Sequence, residues 1–355
     1  MKKVLYVSNI EVPYRSEFFN QLSKKVDLTV LYERKKSSNR DENWTNSVKS
    51  NYKIEYLKGI RIKNEYSIDF KILKYVFSKK YDKVIIGCYN SPSQILAILL
   101  MRLFKKKYIL NLDGEYFLDG KNFKQKIKRF LIKGAQDYLI AGEKSGENLS
   151  KYVSKERVHP YYFSSLTNKE LEEHAKNINQ NLTNKILVVG QYFDYKGLDM
   201  ALKVAKNMPD KIFEFVGMGN RSDLFKKAVI EIGAKNVEVI PFLSKEKLEY
   251  EYKTCKMLLL PSRNECWGLV INEAASYGTP IVASSGSGAA VEFLSDKFSG
   301  FLVNSDDVKD SENKINLLFD LKNINEYSCY LLSKSQNYNI EKSVEIYSKV
   351  IKGEK

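Results

Sequence analysis

Two carboxylates eight positions apart, Glu265 and Glu273, bracket the strongest chemical signal in this sequence. They stand in Pro261-Ser262-Arg263-Asn264-Glu265-Cys266-Trp267-Gly268-Leu269-Val270-Ile271-Asn272-Glu273-Ala274-Ala275. The run follows Met257 to Leu260, an apolar stretch that reads as a buried strand, and leads into a helix-like pattern ending at Tyr277-Gly278. A strand that hands the chain to a helix N-terminus makes an anion site, because unpaired backbone N–H groups and the helix dipole converge there. Glu265, ahead of the helix, is placed to face a ligand. Glu273, inside it, shares a face with Leu269 and Val270.

A second anion element is Lys196-Gly197-Leu198-Asp199, where a lysine at a helix start reaches a diphosphate while backbone N–H groups share its charge. Phe213 to Asn220 is a strand ending in Gly217-Met218-Gly219; alone, such a partial glycine pattern is weak evidence for a nucleotide site. In the first half, Pro13-Tyr14-Arg15 and Asn111-Leu112-Asp113-Gly114-Glu115 close strands. Ligands of open α/β sheets bind beyond the carboxyl ends of strands, so Arg15 is a candidate phosphate group and Asp113 a candidate hydroxyl-orienting group. The plainer readings are a surface arginine at a helix start and a structural turn aspartate. Paired carboxylates also fit a glycoside hydrolase. A hydrolase, however, has no use for phosphate-binding elements.

The elements that must hold these residues alternate strand and helix. Strands are expected at Lys3–Asn9, Asp27–Tyr32, Lys53–Leu57, Lys83–Cys88, Tyr108–Leu112 and Asp137–Ala141, with helices from Ser16 and at 69–79, 91–104 and 121–134. Residues 35–47 read as a polar surface loop. A second series starts at Ile186–Tyr192 and continues through Phe213–Val216, Val239-Ile240, Met257–Leu260, Ile281–Ser284 and Gly300–Val303. The pattern is α/β, with two doubly wound domains. The first ends near Arg157–Leu166, and the polar stretch 167–184 is a linker plus a helix.

Composition narrows the classes. Of 58 Lys and Arg and 43 Asp and Glu, residues 1–170 carry 34 and 18, so the excess of positive charge belongs to the first half. Such a half suits nucleic acid or an anionic membrane surface, but no nucleic-acid motif is recognisable in it. No apolar window reaches the roughly 18 to 20 residues that span a bilayer. Met1-Lys2-Lys3 leads into a strand-like run rather than a signal segment, so a cytoplasmic protein is expected. The four cysteines lack C-x-x-C spacing, and the two histidines, His159 and His174, have no partner at ligand spacing. No metal site is expected.

The block Pro261-Ser262, Glu265, Trp267-Gly268-Leu269, Glu273-Ala274-Ala275, Gly278-Thr279-Pro280-Ile281-Val282-Ala283 and Gly300-Phe301-Leu302-Val303 resembles the E-x7-E block of the retaining glycosyltransferases of family 4. That resemblance implies the GT-B fold, two Rossmann-like domains facing a cleft. An acceptor domain would span 1–166 and a donor domain 167–337, with a last helix at about 338–355 returning to the first domain. It implies transfer of a hexose or N-acetylhexosamine from a nucleotide diphosphate sugar, expected to be a UDP-sugar, with retention and without a metal or other cofactor. Glu265 would bind the donor sugar hydroxyls, Glu273 the ribose, and Lys196 the diphosphate, helped by the N–H groups around Gly268, Leu269 and Val270. Trp267, Gly217 and Gly219 belong to the donor side. Phe242 and Leu243 are candidates for the uracil contact, with an ordinary core aromatic as the other reading of Phe242. The family's usual arginine is Gln191 here, so Arg15 or Arg263 would supply the missing cation. Asp113 stands where many members have a histidine.

Pro-Tyr-Arg, with Tyr14 and Arg15, Asp113-Gly114 and Phe163-Ser164-Ser165-Leu166 resemble capsule and exopolysaccharide assembly enzymes. The resemblance implies a lipid-diphosphate-linked saccharide acceptor at the inner face of the cell membrane. Other acceptors (lipid glycan, glycoprotein or small molecule) and a non-catalytic basic binding module stay open. Lys121 to Lys133 is a basic amphipathic stretch. It reads as a helix that packs Phe123, Ile127, Phe130 and Leu131 on the sheet and presents a cationic rim to anionic lipid, with Lys105-Lys106-Lys107 adding charge nearby.

Overall fold

The computed structural model describes residues 1–35, 49–63, 66–114 and 122–354. The loop expected at 35–47, apart from its first residue, lies outside them, as do Glu115 and Lys121. The chain divides into two compact units, Met1–Ser165 with Ile340–Lys355, and Leu166–Asn339.

The first unit runs β1 (Lys3–Ile10), α1 (Pro13–Ser23), β2 (Asp27–Arg34), β3 (Lys53–Tyr56), β4 (Ile60–Lys63), β5 (Tyr66–Ile68), α2 (Ile72–Val76) and β6 (Lys83–Ile86). It continues with α3 (Pro92–Leu103), β7 (Ile109–Leu112), α4 (Phe123–Ile132), β8 (Asp137–Ala141), α5 (Glu143–Leu149) and β9 (Val158–Tyr161). Its parallel sheet has the order β3-β2-β1-β6-β7-β8-β9. Residues such as Val4, Leu5, Val7, Ile85, Ile86 and Leu110 are buried because helices cover both faces, so these strands read as continuous apolar runs.

The second unit holds α6 (Asn168–Ala175), β10 (Lys185–Val189), α7 (Leu198–Asn207), β11 (Ile212–Val216), α8 (Ser222–Ile232), β12 (Val237–Ile240) and α9 (Lys245–Thr254). Then come β13 (Met257–Leu260), α10 (Leu269–Ser276), β14 (Ile281–Ser284), α11 (Gly288–Leu294), β15 (Leu302–Val303), α12 (Val308–Phe319) and α13 (Ile324–Ser335). Its parallel sheet has the order β12-β11-β10-β13-β14-β15. A capping box starts the unit: the Thr167 side chain accepts from the Glu170 N–H while the Glu170 carboxylate accepts from Thr167.

The last helix, α14 (Ile340–Lys352), belongs to the first unit and packs on α1 and β9. It buries Ile340, Val344, Tyr347 and Ile351 on one stripe. Each such side chain contributes about 1.5–3 kcal/mol on full burial.

Three features differ from the sequence reading. The β4–β5 hairpin is antiparallel and outside the main sheet; its strands, Ile60–Lys63 and Tyr66–Ile68, are only four and three residues long, too short for a periodic signal. Val158–Tyr161, read as the end of the domain, is the edge strand β9, where Pro160 is tolerated because one side of its backbone needs no ladder partner. In α4 only the end of the helix packs inward: Leu131 and Ile132 are buried, whereas Phe123 (77%), Ile127 (44%) and Phe130 (53%) are exposed. The expected packing of that stripe holds for Leu131 and fails for Phe123, Ile127 and Phe130.

Candidate active site

In the second unit the strand order reverses between β10 and β13, and open α/β sheets bind ligands at such a reversal. Lys196 and Glu265 leave these two strands. A short 3₁₀ turn, Asp194–Lys196, follows β10 and delivers Lys196 to the start of α7. The loop after β13 carries Glu265, which is fixed through its backbone: its N–H donates to the Gly286 carbonyl at 2.8 Å and its own carbonyl accepts from Gly288 at 3.2 Å. Lys196 Nζ pairs with Glu265 Oε1, and the Ser262 hydroxyl donates to Oε2 at 2.8 Å. Both side chains of the pair keep 16% of their surface exposed, so a ligand can reach them.

Two glycines make this approach possible. Gly197 sits at φ 67°, and a Cβ there would collide with the Pro261 carbonyl oxygen. The two loops thus touch backbone to backbone, and the Arg263 N–H donates to the Tyr195 carbonyl at 2.8 Å. Gly268, at φ 105°, is the N-cap of α10, where a Cβ would come within 2.7 Å of Ser287 Oγ. Leu269 and Val270 open α10, so their N–H groups have no partner within the helix and are available to an anion. Glu273 is half-buried and accepts from the Tyr252 hydroxyl at 3.0 Å. Burial, followed by the charge of Glu273, pushes the Tyr252 hydroxyl well above its ordinary pKa, so it stays a donor.

The remaining donor-side residues sort by exposure and partner. Gly217 and Gly219 follow β11 with positive φ, and their N–H groups donate to the carbonyls of Ile240 (3.1 Å) and Pro241 (2.9 Å), tying this turn to the loop of Phe242 and Leu243. Phe242 is exposed, which overturns the core reading of that residue and leaves its ring available. Gln191 is half-buried just past β10. Trp267, expected on the donor side, is only 3% exposed; its N–H donates to Asn272 and its ring packs by Tyr338, so it shapes the loop from beneath.

Arg263 does not stand free to replace the missing cation. Its guanidinium grips Asp199 through two bonds of 2.8 and 2.7 Å, donates to Asp306 at 2.6 Å, and reaches the Asp194 carbonyl at 2.5 Å. Burial alone would raise the Asp199 carboxyl, but this pairing holds it below its ordinary value. Arg263 is a staple between three loops. The sequence reading passed over Arg221, which lies two residues past Gly219, rests its guanidinium 4.0 Å from the Phe193 ring centroid and donates to the Tyr192 carbonyl. Its position just after a Gly-x-Gly turn was the available signal.

The first unit gathers a separate polar cluster at the carboxyl edge of its own sheet. Arg15, in the first turn of α1, is 6% exposed and pairs with Asp113 Oδ1 past the end of β7. The same oxygen accepts from Tyr161 Oη and Asn111 Nδ2, both at 2.9 Å. Asn111 Oδ1 in turn accepts from Tyr347 Oη of α14. The Phe163 ring lies 4.8 Å from the guanidinium carbon and touches Tyr14 edge-on. Burial alone would lower the Arg15 pKa, but Asp113 raises it well above its ordinary value, so the cation is permanent. Arg15 is therefore no surface arginine, whereas Asp113 is held by three donors of the fold, as a structural aspartate is, and still keeps about a third of its side chain exposed. Arg15 is thus buried and matched by a carboxylate within the first unit. Glu33, missed from sequence because it ends an apolar strand, is buried at this same edge and accepts from the Ser91 hydroxyl. Burial raises its carboxyl above the ordinary value.

Among the described residues no three His, Cys, Asp or Glu side chains gather into a metal-holding group, and no helix is long and apolar enough to cross a membrane.

Residues 169–329 match the family described as glycosyl transferases group 1. An uncharacterized glycosyltransferase of Haemophilus influenzae is 31% identical over 188 residues, which is 50% of this chain and 51% of that protein. The chain thus aligns with about half of that relative's length. An uncharacterized 41.2 kDa protein from the cps region of Klebsiella pneumoniae is 29% identical over 70% of this chain and 72% of its own. Among solved structures, sucrose-phosphate synthase from Thermosynechococcus elongatus superposes with a TM-score of 0.75 at 15% identity, over 99% of both chains. Anabaena HepE in complex with UDP and glucose gives 0.67 at 14% identity, also over 99% of both. Identities this low speak for the fold alone. Residues 169–329 thus carry the likeness to the glycosyl transferases group 1, and the chain has the GT-B fold of these solved structures.

Proposed function

We propose that this protein is a retaining glycosyltransferase of the family 4 type that moves a hexose or N-acetylhexosamine from a nucleotide diphosphate sugar, a UDP-sugar, to a lipid-linked saccharide. The observation that carries the proposal is the Lys196–Glu265 pair at the strand-order reversal of the second unit, beside the open first turn of α10. Breaking the bond from the sugar carbon to the phosphate oxygen leaves the bonding electrons on the diphosphate. Lys196 and the N–H groups of Leu269 and Val270 are aimed to stabilise that charge as it develops. When the diphosphate draws Lys196 away, Glu265 is released to accept from the sugar hydroxyls. Glu273, held by Tyr252, takes the ribose, and Phe242 with Leu243 borders the base. In this reading the leaving group's charge is carried by side chains and backbone, and the reaction needs no metal.

The acceptor is assigned to the first unit, where Asp113 keeps about a third of its side chain exposed at the carboxyl edge. The cps-region origin of the Klebsiella relative favours a role in surface polysaccharide assembly at the inner face of the membrane. The test is turnover of labelled UDP-sugars by purified protein, with and without a chelator. Slow donor hydrolysis or transfer supports the assignment; unchanged turnover in Lys196→Ala and Glu265→Ala overturns the site, and loss with chelator overturns the metal-free reading.

A further inference from the structure

We propose that the outward faces of α3 and α4 form a membrane-docking surface in which apolar side chains enter an anionic lipid leaflet and flanking lysines bind its phosphates. The proposal gives a location to the lipid-linked acceptor of the preceding section, but its physical basis is independent of it.

The exposed face of α4 is a single helical stripe, Phe123, Lys126, Ile127, Phe130 and Lys133. Two phenylalanines and an isoleucine turned to water along the whole of a short helix cost solvation free energy that a soluble surface avoids. The stripe is continued by α3. Leu99 and Leu103 are exposed one turn apart, and Phe104 follows with about two-thirds of its surface open. Arg102 joins the two helices: its guanidinium lies 4.2 Å from the Phe130 ring centroid and donates to the Phe130 carbonyl.

Charge then selects the occupant. Residues 92–107 carry four Lys and Arg, residues 122–133 carry five, and neither stretch contains Asp or Glu. Arg102, Lys105, Lys106, Lys107 and Arg157 line a shallow basin of about 340 Å³ with no carboxylate in its wall. Asp82, which borders the same lysines on their other side, is engaged by the Lys3 N–H at 2.7 Å. A second copy of this surface would bring like charges together, and an acidic protein would have to cover a row of bare aromatic rings. An anionic leaflet matches both properties at once, with hydrocarbon under the rings and phosphate at the rim. The arrangement also aims the unit. In a parallel sheet a crossover helix begins at the carboxyl edge, so α4 starts on the edge that carries Arg15 and Asp113. Docking by α4 brings that edge to the leaflet where a lipid-linked acceptor resides.

The test uses the full chain and flotation with phosphatidylglycerol/phosphatidylcholine vesicles, compared with phosphatidylcholine alone, at low and high salt. Binding is expected on anionic vesicles, with a salt-resistant part due to the apolar stripe. Phe123→Ser/Ile127→Ser/Phe130→Ser should abolish the salt-resistant part. Lys105→Glu/Lys106→Glu/Lys107→Glu should reduce low-salt binding at least about tenfold. Both variants alter side chains that are exposed or, at Lys106, half-buried, and all lie in the first unit, so the melting temperature and the donor hydrolysis of the second unit should be unchanged. Loss of donor hydrolysis in the unmodified protein would sink the transferase reading while leaving vesicle binding intact. Equal binding to neutral vesicles, or no binding, overturns the docking surface. So does a concentration-dependent dimer that the triple serine variant dissolves, because the stripe would then be an interface between copies.

Discussion

Lys196 and Glu265 pair across the reversal point of the second sheet, the place where open α/β sheets bind their ligands. The pair makes the two residues opposite in their effect on ligand. Lys196→Ala should weaken UDP binding and lower turnover by about 10²–10³, the cost of removing one group that stabilises developing charge. Glu265→Gln should also lower turnover, yet it frees Lys196 and should leave UDP binding equal or tighter. Calorimetric titration of UDP into both variants checks this. If Glu265→Gln weakens UDP as much as Lys196→Ala does, the competition is not real.

Arg263 is predicted to act on stability more than on ligand. It holds Asp199 through two bonds and Asp306 through a third, and such hydrogen-bonded charge pairs are the strong ones. Arg263→Met should lower stability by about 0.5–1 kcal/mol, because Asp199 and Asp306 remain open to water once the guanidinium is gone, with UDP affinity changed less than threefold. A denaturant midpoint beside a UDP titration separates the two. A large loss of affinity at unchanged stability would return Arg263 to the role of phosphate cation.

How much of this was legible in the sequence follows from the kind of signal each residue gives. The strands of both sheets were found because parallel strands covered on two faces are unbroken apolar runs, as in Met257–Leu260. Glu265, Lys196 and Gly268 were placed because a strand-to-helix junction fixes their neighbourhood locally. What failed depended on contacts far apart in the chain. Arg15 and Asp113 are separated by 98 positions, Arg263 and Asp199 by 64, and nothing local announces that either arginine is already engaged. The outward turn of Phe123, Ile127 and Phe130 was missed for another reason. Periodicity identifies an apolar stripe but not the side it faces, and Leu131 with Ile132 was enough to anchor the helix.

Tyr347 extends the Arg15–Asp113 cluster to the last helix. Its hydroxyl donates to Asn111, whose amide donates to Asp113, and its ring meets Phe18 and Tyr161 edge-on at 4.8 and 5.1 Å. Tyr347→Phe keeps the ring and removes only the hydroxyl, so stability should fall by about 1 kcal/mol. Because Asp113 loses part of its support, the acceptor KM should rise while the rate of donor hydrolysis stays unchanged. Equal effects on both activities would show that Tyr347 acts on global stability only.

The pH response of the second unit should be governed in part by His174. Its ring stacks on Tyr277 with centroids 4.0 Å apart, and Nδ1 lies 2.7 Å from Ser276 Oγ. Burial lowers its pKa to about 4, since the charged ring would lose its hydration. In the unfolded chain the value returns to about 6.5. Between these two values the unfolded state binds the additional proton, so stability is full above pH 6.5 and is lost as pH falls toward 4. The loss from this one group amounts to about 2 kcal/mol between pH 7 and pH 5. Since His174 on α6 meets Ser276 on α10, the helix that carries Glu273 is the one loosened. His174→Gln cannot take up a proton; it should be less stable at pH 7 through the lost stack but show a flatter profile toward acid. Urea midpoints of both proteins at pH 7 and pH 5 decide it, and parallel profiles would remove His174 as the group responsible.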